Sequence, residues 1–293
     1  MQWDARPLTG LDGRKEQELM CYLLIRRDRP HPRETLASLL WGETPTERSR
    51  KYLRQALWHL HSALEGGGSV GQQVLLVEHD WVQLNLHSEW WLDVTVFERA
   101  FTDTQGVPGK QLDRDSAQML KQAVELYKGD LLDGWYQDWC LFERERLQNM
   151  YLSMLDKLMC YSLEHHEYEA GWSYGSAILR YDRSSERTYR KLMMMKYAAG
   201  DRTGALRLYE RCVNALDEEL AVKPEKRTRA VYEHIRTDGS DQAAVAGQRT
   251  CAQDSSLQAV LARLKRLQLV LTAVQKRVQR YSGRRAASQD TEV

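Results

Sequence analysis

The side chains with the clearest chemical potential lie between positions 48 and 59. Leu53, Leu57, Leu60 and Leu64 recur at helical spacing, so they predict a buried stripe and an opposite, exposed face. That exposed face combines cationic, amide, aromatic and imidazole groups: Arg48, Arg50, Lys51, Tyr52, Arg54, Gln55, Trp58 and His59. Such a set suits contact with a polyanion. For an isolated helix, an ordinary solvated basic surface is the commoner explanation.

A start signal precedes this helix. In Thr44-Pro45-Thr46-Glu47, Thr44 can cap the free amides of the first turn, and Glu47 can complete a capping box. Proline is tolerated in the first helical turn because its missing N–H has no partner there. The sequence therefore predicts a helix from about residue 45 to Leu64.

The neighbouring elements place this helix in a recognisable context. A helix is predicted from Asp12 to about Arg27, and His31-Pro32-Arg33-Glu34 is predicted to open a second, short helix that ends near Trp41. Residues 74–78 and 81–86 have the composition of strands, and the pair His79-Asp80 between them has hairpin spacing. Three helices followed by a hairpin are the outline of a winged helix-turn-helix.

That context favours DNA contact over a solvated surface. The second helix of such a motif enters the major groove, where arginine and glutamine can form paired hydrogen bonds to guanine and adenine. Lys51 and Arg50 suit phosphates. In the hairpin, His79 and Trp81 are predicted to touch the minor groove or the backbone, and simple filling of the turn is the alternative.

The middle of the chain is predicted to be helical from Asp93 to about Arg236, with breaks at 102–112, 128–137, 181–184 and 200–202. Residues 168–179 resemble residues 202–213 at an offset of 34 positions, which is the tetratricopeptide period. Small residues in such repeats allow the two helices to cross closely. The middle is therefore predicted to be a tetratricopeptide-like domain.

A polar linker is predicted over residues 237–256, followed by a coiled-coil-like helix over 257–282. Its apolar residues alternate steps of three and four: Leu257, Val260, Leu264, Leu267, Leu271, Val274 and Val278. Residues 257–285 carry eight basic and no acidic side chains, and the region 65–256 is net negative. Homo-oligomerisation is the favoured role of this helix, and docking on an acidic surface remains the alternative.

Composition excludes several classes of protein. The 293 residues carry 42 basic and 41 acidic side chains, so the bulk charge names no partner. Five separated cysteines without a C-x-x-C pair disfavour a disulfide framework and a zinc ribbon, and they fit a reducing cytoplasm. No apolar run reaches membrane-span length and no secretory signal is visible. Neither a common catalytic motif nor a metal-binding spacing occurs, so we expect no enzyme activity, no cofactor and no metal.

With these elements in place, the chain resembles the antibiotic-regulatory (SARP) type of bacterial transcriptional activator over about residues 11–236. Each motif is weak alone, but their order and spacing together are specific. The motifs are Arg14-Lys15, Leu39-Leu40-Trp41, Leu53-Arg54-Gln55-Ala56-Leu57-Trp58, Leu92-Asp93-Val94, Phe97-Glu98, Gly134-Trp135, Glu143-Arg144-Glu145-Arg146-Leu147, Gly200-Asp201-Arg202, Tyr209-Glu210-Arg211-Cys212 and Glu219-Leu220-Ala221-Val222-Lys223-Pro224.

The resemblance implies a winged-helix DNA-binding domain over residues 1–90 and a tetratricopeptide-like bacterial transcriptional activator domain over 91–236. It also implies binding to promoter repeats in double-stranded DNA and recruitment of RNA polymerase. Family members usually begin with a strand-rich segment, whereas about a dozen residues precede the first helix here, so that sheet is expected to be missing or truncated. The sequence thus predicts a mainly α, sequence-specific activator. The alternative is a tetratricopeptide scaffold or ligand sensor whose winged helix does not bind DNA.

Overall fold

A computed structural model describes residues 13–65, 74–85 and 91–237, together with the backbone of residues 2, 3, 6 and 7. The chain divides into two compact units, Met1–Thr95 and Val96–Val293. The linker residues 238–256 and the seven apolar positions predicted to mediate oligomerisation, Leu257 to Val278, lie outside the described residues. Within the described residues the fold is mainly α, as the sequence predicts, with ten α-helices and short strands.

The first unit contains the helices α1 (Arg14–Ile25), α2 (Arg33–Trp41) and α3 (Thr46–Glu65). Their apolar faces meet in a common core, where α1 contributes Leu19 and Leu23 and α2 contributes Leu36 and Leu40. From α3 come Leu53, Leu57, Leu60 and Leu64, all of them buried. The predicted stripe of α3 is therefore confirmed.

Short strands complete the first unit. The strands β1 (Gln2–Trp3) and β2 (Arg6–Pro7) pair antiparallel ahead of α1. The sheet expected to be missing or truncated is thus represented by two strands of two residues each. The strands β3 (His31–Pro32), β4 (Leu75–Val77) and β5 (Trp81–Leu84) form a second, antiparallel sheet in the order β3-β5-β4. Val82 lies opposite both His31 and Val77 and is fully buried. The predicted hairpin is confirmed, and residues 78–80, which include the pair His79-Asp80, connect its two strands.

One prediction in this region is wrong. His31 and Pro32 do not open the second helix, because they form the edge strand β3, and α2 begins at Arg33. The His31 ring is buried against Tyr22 and lies 2.8 Å from the carbonyl oxygen of Arg26. Burial lowers the pKa of His31, so the neutral ring is favoured at this position.

The helices of the second unit are α4 (Asp93–Asp103), α5 (Arg114–Leu126), α6 (Asp138–Glu164), α7 (Tyr168–Tyr181), α8 (Glu186–Ala198), α9 (Arg202–Leu220) and α10 (Lys226–Thr237), with a 3₁₀ turn at Gly109–Gln111. From α5 to α10, each helix packs against the next one in sequence. The predicted breaks are present. Two further breaks were not predicted, at residues 165–167 and 221–225, where His166 and Ala221 adopt left-handed conformations.

The predicted repeat corresponds to α7 and α9, which begin 34 positions apart at Tyr168 and Arg202. The equivalent small residues Gly171 and Ala205 are both buried, and so are the equivalent Ile178 and Cys212. A Cβ atom at Gly171 would lie 2.6 Å from Cε of Met195 on α8. Small residues thus occupy the helix crossings, as stacked helical repeats require.

Three of the motifs that carry the family resemblance meet near the start of α6. Arg144 donates to the carbonyl oxygens of Leu131, Leu132 and Trp135 at 2.8–3.1 Å, which holds the irregular connection before α6. Arg146 forms ion pairs with Glu98 of α4 and with the buried carboxylate of Glu143. Residues about 50 positions apart in the sequence therefore form one polar cluster.

A close backbone approach fixes the 3₁₀ turn against α6. A Cβ atom at Gly109 would lie 2.3 Å from the carbonyl oxygen of Lys157 and 2.7 Å from Cβ of Cys160. Because the first of these atoms belongs to a helix backbone, a rotamer change cannot relieve the contact. Only glycine fits this position.

We expect Gly109→Ala to lower the free energy of unfolding by about 1–3 kcal/mol, because the turn must move away from α6. Gly129→Ala is the matched control, since a Cβ atom there meets nothing within 4 Å, and it should change stability by less than about 0.5 kcal/mol. Thermal unfolding followed by circular dichroism compares the two. Equal melting temperatures for both variants would contradict the close packing of this turn.

An ion cluster joins α6 to α8. The carboxylate of Asp156 accepts from Arg187 at 2.6 Å and from Lys191, whose side chains are 13% and 10% exposed. Burial opposes ionisation of Asp156, but the two neighbouring cations outweigh it, so its pKa lies below the usual 3.8. A carboxyl group with a lowered pKa stabilises the folded state above its unfolded pKa, and this contribution disappears as the pH falls through the folded value.

Asp156→Asn should lower the free energy of unfolding by about 3 kcal/mol at pH 7, because two largely buried cations lose their counter-charge. The difference from the unmodified protein should shrink as the pH falls below about 5, because Asp156 of the unfolded chain then binds a proton while the folded carboxylate, with its lowered pKa, is still ionised. Urea unfolding at several pH values measures both effects, with the exposed Asp133→Asn as control. A destabilisation that does not depend on pH would show that charge is not the cause.

Candidate nucleic-acid interface

The junction between α2 and α3 sets where α3 begins. The hydroxyl of Thr44 donates to the carbonyl oxygen of Trp41 at 2.8 Å, and it lies 3.1 Å from Oγ of Ser49. The carbonyl oxygen of Pro45 accepts from the amides of Arg48 and Ser49. The predicted capping box is therefore wrong: α3 begins at Thr46, and the hydroxyl of Thr44 binds the end of α2 and does not cap the first amides of α3.

The outward face of α3 is polar and aromatic. Successive residues of a helix turn by about 100°, so Lys51, Gln55, Trp58 and Ser62 form a row opposite the leucine stripe. All four are exposed, and Arg48 and Arg54 are exposed on either side of the row. Among the described residues, Lys51 and Arg54 form no ion pair. We call these six residues the outward face.

Three of the predicted contact residues lie at the edges of α3, where they interact with the other helices. Arg50 is paired with Glu34 of α2. The ring of Tyr52 lies 6.2 Å from that of Trp41, and Nδ1 of His59 lies 3.0 Å from a carboxylate oxygen of Glu16 on α1. The structure therefore does not bring these three side chains into the row formed by Lys51, Gln55, Trp58 and Ser62.

The hairpin presents its turn to solvent. The side chains of His79 and Asp80 are 97% and 86% exposed, and the His79 ring lies 2.6 Å from the Asp80 carboxylate. Trp81 is half-buried in β5, opposite Pro32. The turn therefore combines an imidazole with an acid, and its charge is less favourable to phosphate than that of the outward face.

Two supporting residues are not among those predicted from the sequence. Arg33, at the start of α2, donates its amide to the carbonyl oxygen of Asp80 at 2.9 Å and its guanidinium to that of Glu78 at 3.1 Å, which anchors the hairpin turn. Glu16 of α1 holds His59 from 43 residues away. The position of Arg33, a basic residue directly after His31-Pro32, is a signal that the sequence offers. No sequence pattern indicates the role of Glu16.

Charge favours an anionic partner for α3. Between Thr46 and Trp58 there are four basic side chains and one acidic side chain, Glu47. The amino-terminal end of the helix adds the positive end of its dipole. The part of the chain that the structure describes contains no group of three metal-ligating side chains and no helix that is long and apolar enough to cross a membrane.

Two serines on α3, one at the junction with α2 and one on the outward face, allow the hydrogen bonds of the junction to be tested. Ser49 is buried, and its hydroxyl lies 3.1 Å from the carbonyl oxygen of Pro45 and from Oγ1 of Thr44. Ser62 is exposed on the outward face. Both changes to alanine improve helix propensity equally, so the difference between the variants isolates the hydrogen bonds.

We expect Ser49→Ala to be less stable than Ser62→Ala by about 1 kcal/mol, the net contribution of a typical hydrogen bond. Urea unfolding of both variants in the full chain measures the difference. If Ser49→Ala proves as stable as Ser62→Ala, the hydroxyl cluster does not hold the junction.

Comparison with known proteins agrees with this architecture. No curated protein matches the chain. The solved structure of Mycobacterium tuberculosis EmbR, in complex with a low-affinity phosphopeptide, matches with a TM-score of 0.60 over 87% of this chain and 67% of that chain, at 19% identity. A likeness at this identity establishes the fold alone. Residues 92–236 match the family model of the bacterial transcriptional activator domain. The helical unit of this chain therefore matches the bacterial transcriptional activator domain, as the resemblance to SARP-type activators predicted.

Proposed function

We propose that the chain is a sequence-specific transcription activator that inserts α3 into the major groove of promoter DNA and contacts RNA polymerase through its helical unit. The proposal places the protein in the cytoplasm and assigns it no catalytic step, cofactor or metal. The single observation that carries it is the outward face of α3, where Lys51, Arg54, Gln55 and Trp58 are exposed together. The family match of residues 92–236 gives it regulatory context.

The dimensions of the outward face fit a short DNA site. From Arg48 to Trp58 the helix rises about 15 Å at about 1.5 Å per residue, which corresponds to four or five base pairs at about 3.4 Å each. Arg54 and Gln55 lie near the middle of this span. They are the residues best suited to contact base edges, and Lys51 and Arg48 suit the flanking phosphates.

The remaining elements have supporting roles in the proposal. The sheet β3-β5-β4 and the hairpin turn at His79 act as the wing, which Arg33 holds against the start of α2. Trp81 stiffens the wing and makes at most a peripheral contact. Self-association through the seam from Leu257 to Val278 would let two copies bind repeated half-sites, since paired subunits match paired sites.

A protein scaffold without DNA binding is the second candidate. It is favoured by the exposed surface around the start of α6, where Tyr136, just before the helix, and Leu141 are 75% and 42% exposed near the acidic Asp138 and Glu145. Exposed apolar residues with a polar rim are typical of protein interaction sites. In the main proposal the same surface contributes to contact with the transcription machinery, so DNA binding decides between the two candidates.

We expect the full chain to retain a short repeated sequence from random genomic fragments at low salt, and to lose affinity steeply as salt rises. Arg54→Ala and Gln55→Ala should each relax the preference at one base pair, at a cost of about 1–3 kcal/mol. Lys51→Ala should weaken binding to all sequences and reduce the salt slope by about one. Sequencing of the retained fragments and anisotropy titrations measure these effects.

Arg50→Ala is the matched control, because Arg50 is engaged by Glu34 at the edge of the helix. It should weaken DNA binding less than Lys51→Ala. If no fragment is retained even at low salt, the scaffold is the better description. Retention without an enriched sequence would reduce the proposal to a nonspecific basic surface.

A further inference from the structure

Trp58 stands out on the outward face of α3. Its side chain is 67% exposed, and it lies in the same row as Lys51 and Gln55. Tryptophan is highly buried on average, because its large apolar surface is costly to hydrate. An indole in the centre of a basic, polar face therefore indicates an apolar contact that is made only in a complex.

The indole of Trp58 lies beside the ring of His59, which in turn contacts α1. The Trp58 and His59 rings lie 5.3 Å apart between centroids, at an angle of 59°. Glu16 in turn holds His59 through a contact of 3.0 Å. His59, which the sequence predicted as a DNA contact, thus acts as a positioning residue that limits the orientations open to Trp58. A side chain restrained in this way loses less conformational entropy when it binds.

The chemistry of the neighbouring residues limits which group of the DNA can be the partner of Trp58. Arg54 and Gln55 can satisfy the polar acceptors and donors of a base edge, but an indole offers one N–H donor and a broad apolar surface. Within the major groove, the C5-methyl group of thymine is the apolar feature that the base pairs present. The positive charge of the surrounding face favours DNA over an apolar protein partner.

We infer that Trp58 packs against the C5-methyl group of a thymine in the bound DNA. The inference rests on the proposed function and deepens it, because it names the base that this position selects. Trp58 lies one helical turn, about 5 Å along the axis, beyond Arg54 and Gln55. The thymine therefore lies one or two base pairs from the pair that these two residues contact.

Replacing thymine by deoxyuridine removes only the methyl group, so it tests the contact at the level of one carbon atom. The full chain is titrated with its selected DNA site and with a set of duplexes in which each thymine in turn is deoxyuridine. At one position we expect about fourfold weaker binding, which corresponds to the roughly 0.8 kcal/mol gained by burying one such group. Trp58→Ala should bind the thymine site more weakly and should no longer distinguish thymine from deoxyuridine.

Two further variants separate this contact from a general loss of binding. Trp58→Phe keeps an aromatic surface and should retain part of the preference for thymine. Arg54→Ala should lose affinity but still distinguish thymine from deoxyuridine at the position assigned to Trp58. Circular dichroism of the free variants establishes that each is folded, which the exposure of Trp58 leads us to expect.

The failures of the inference and of the proposed function are distinguishable. In one outcome the protein binds its selected site, but every replacement of thymine by deoxyuridine changes the affinity of the unmodified protein no more than that of Trp58→Ala. That result overturns the inference and leaves DNA recognition by α3 intact. An unchanged affinity of Trp58→Ala for the site would also overturn it, and would point to a protein partner for the indole. If the chain selects no DNA sequence at all, the proposed function fails and the inference fails with it.

Discussion

The burial of the leucine stripe of α3 is the constraint on which the candidate interface depends. Leu53 and Leu60 are almost completely buried against α1 and α2, and Leu57 and Leu64 extend the same contact along the helix. Because a helix turns by about 100° per residue, burying this face fixes which side chains point outward. No separate device is needed to present Lys51, Gln55 and Trp58, since the hydrophobic core of the first unit orients them.

The second unit depends on a different kind of contact, between residues that are far apart in sequence. Arg144 holds the connection before α6 through three carbonyl oxygens, and Arg146 joins that helix to α4 through Glu98. Several short motifs that look unrelated in sequence are thus parts of one polar cluster. Such contacts need particular residues of separate motifs at fixed positions, so the order and spacing of the motifs are more specific than any one of them.

The sequence predicted what depends on periodicity and missed what depends on distant partners. The stripe of α3, the hairpin and the 34-residue offset of α7 and α9 are regular patterns, and the structure contains them. The strand at His31-Pro32 is two residues long, so no alternation could reveal it. The predicted capping box does not form, because the Thr44 hydroxyl donates to a carbonyl oxygen of the preceding helix, and a local pattern does not show that partner. The left-handed residue Ala221 ended α9 without the glycine that usually marks such an end.

The same distinction explains why only five of the eight contact residues predicted on α3 lie on the outward face. Helical spacing alone predicts that Arg50, Tyr52 and His59 are exposed contact residues like their neighbours. Each of them, however, lies where another helix approaches α3. Glu34 pairs with Arg50 and Glu16 contacts His59 at two of these edges, so the positive charge of Arg50 is balanced within the first unit. This reduces the charge available to phosphates and leaves the centre of the helix with a mixed amide, guanidinium and indole surface. A face of that composition is better suited to discriminate base pairs than to bind the backbone alone, because phosphate contacts fix position and base contacts carry sequence information.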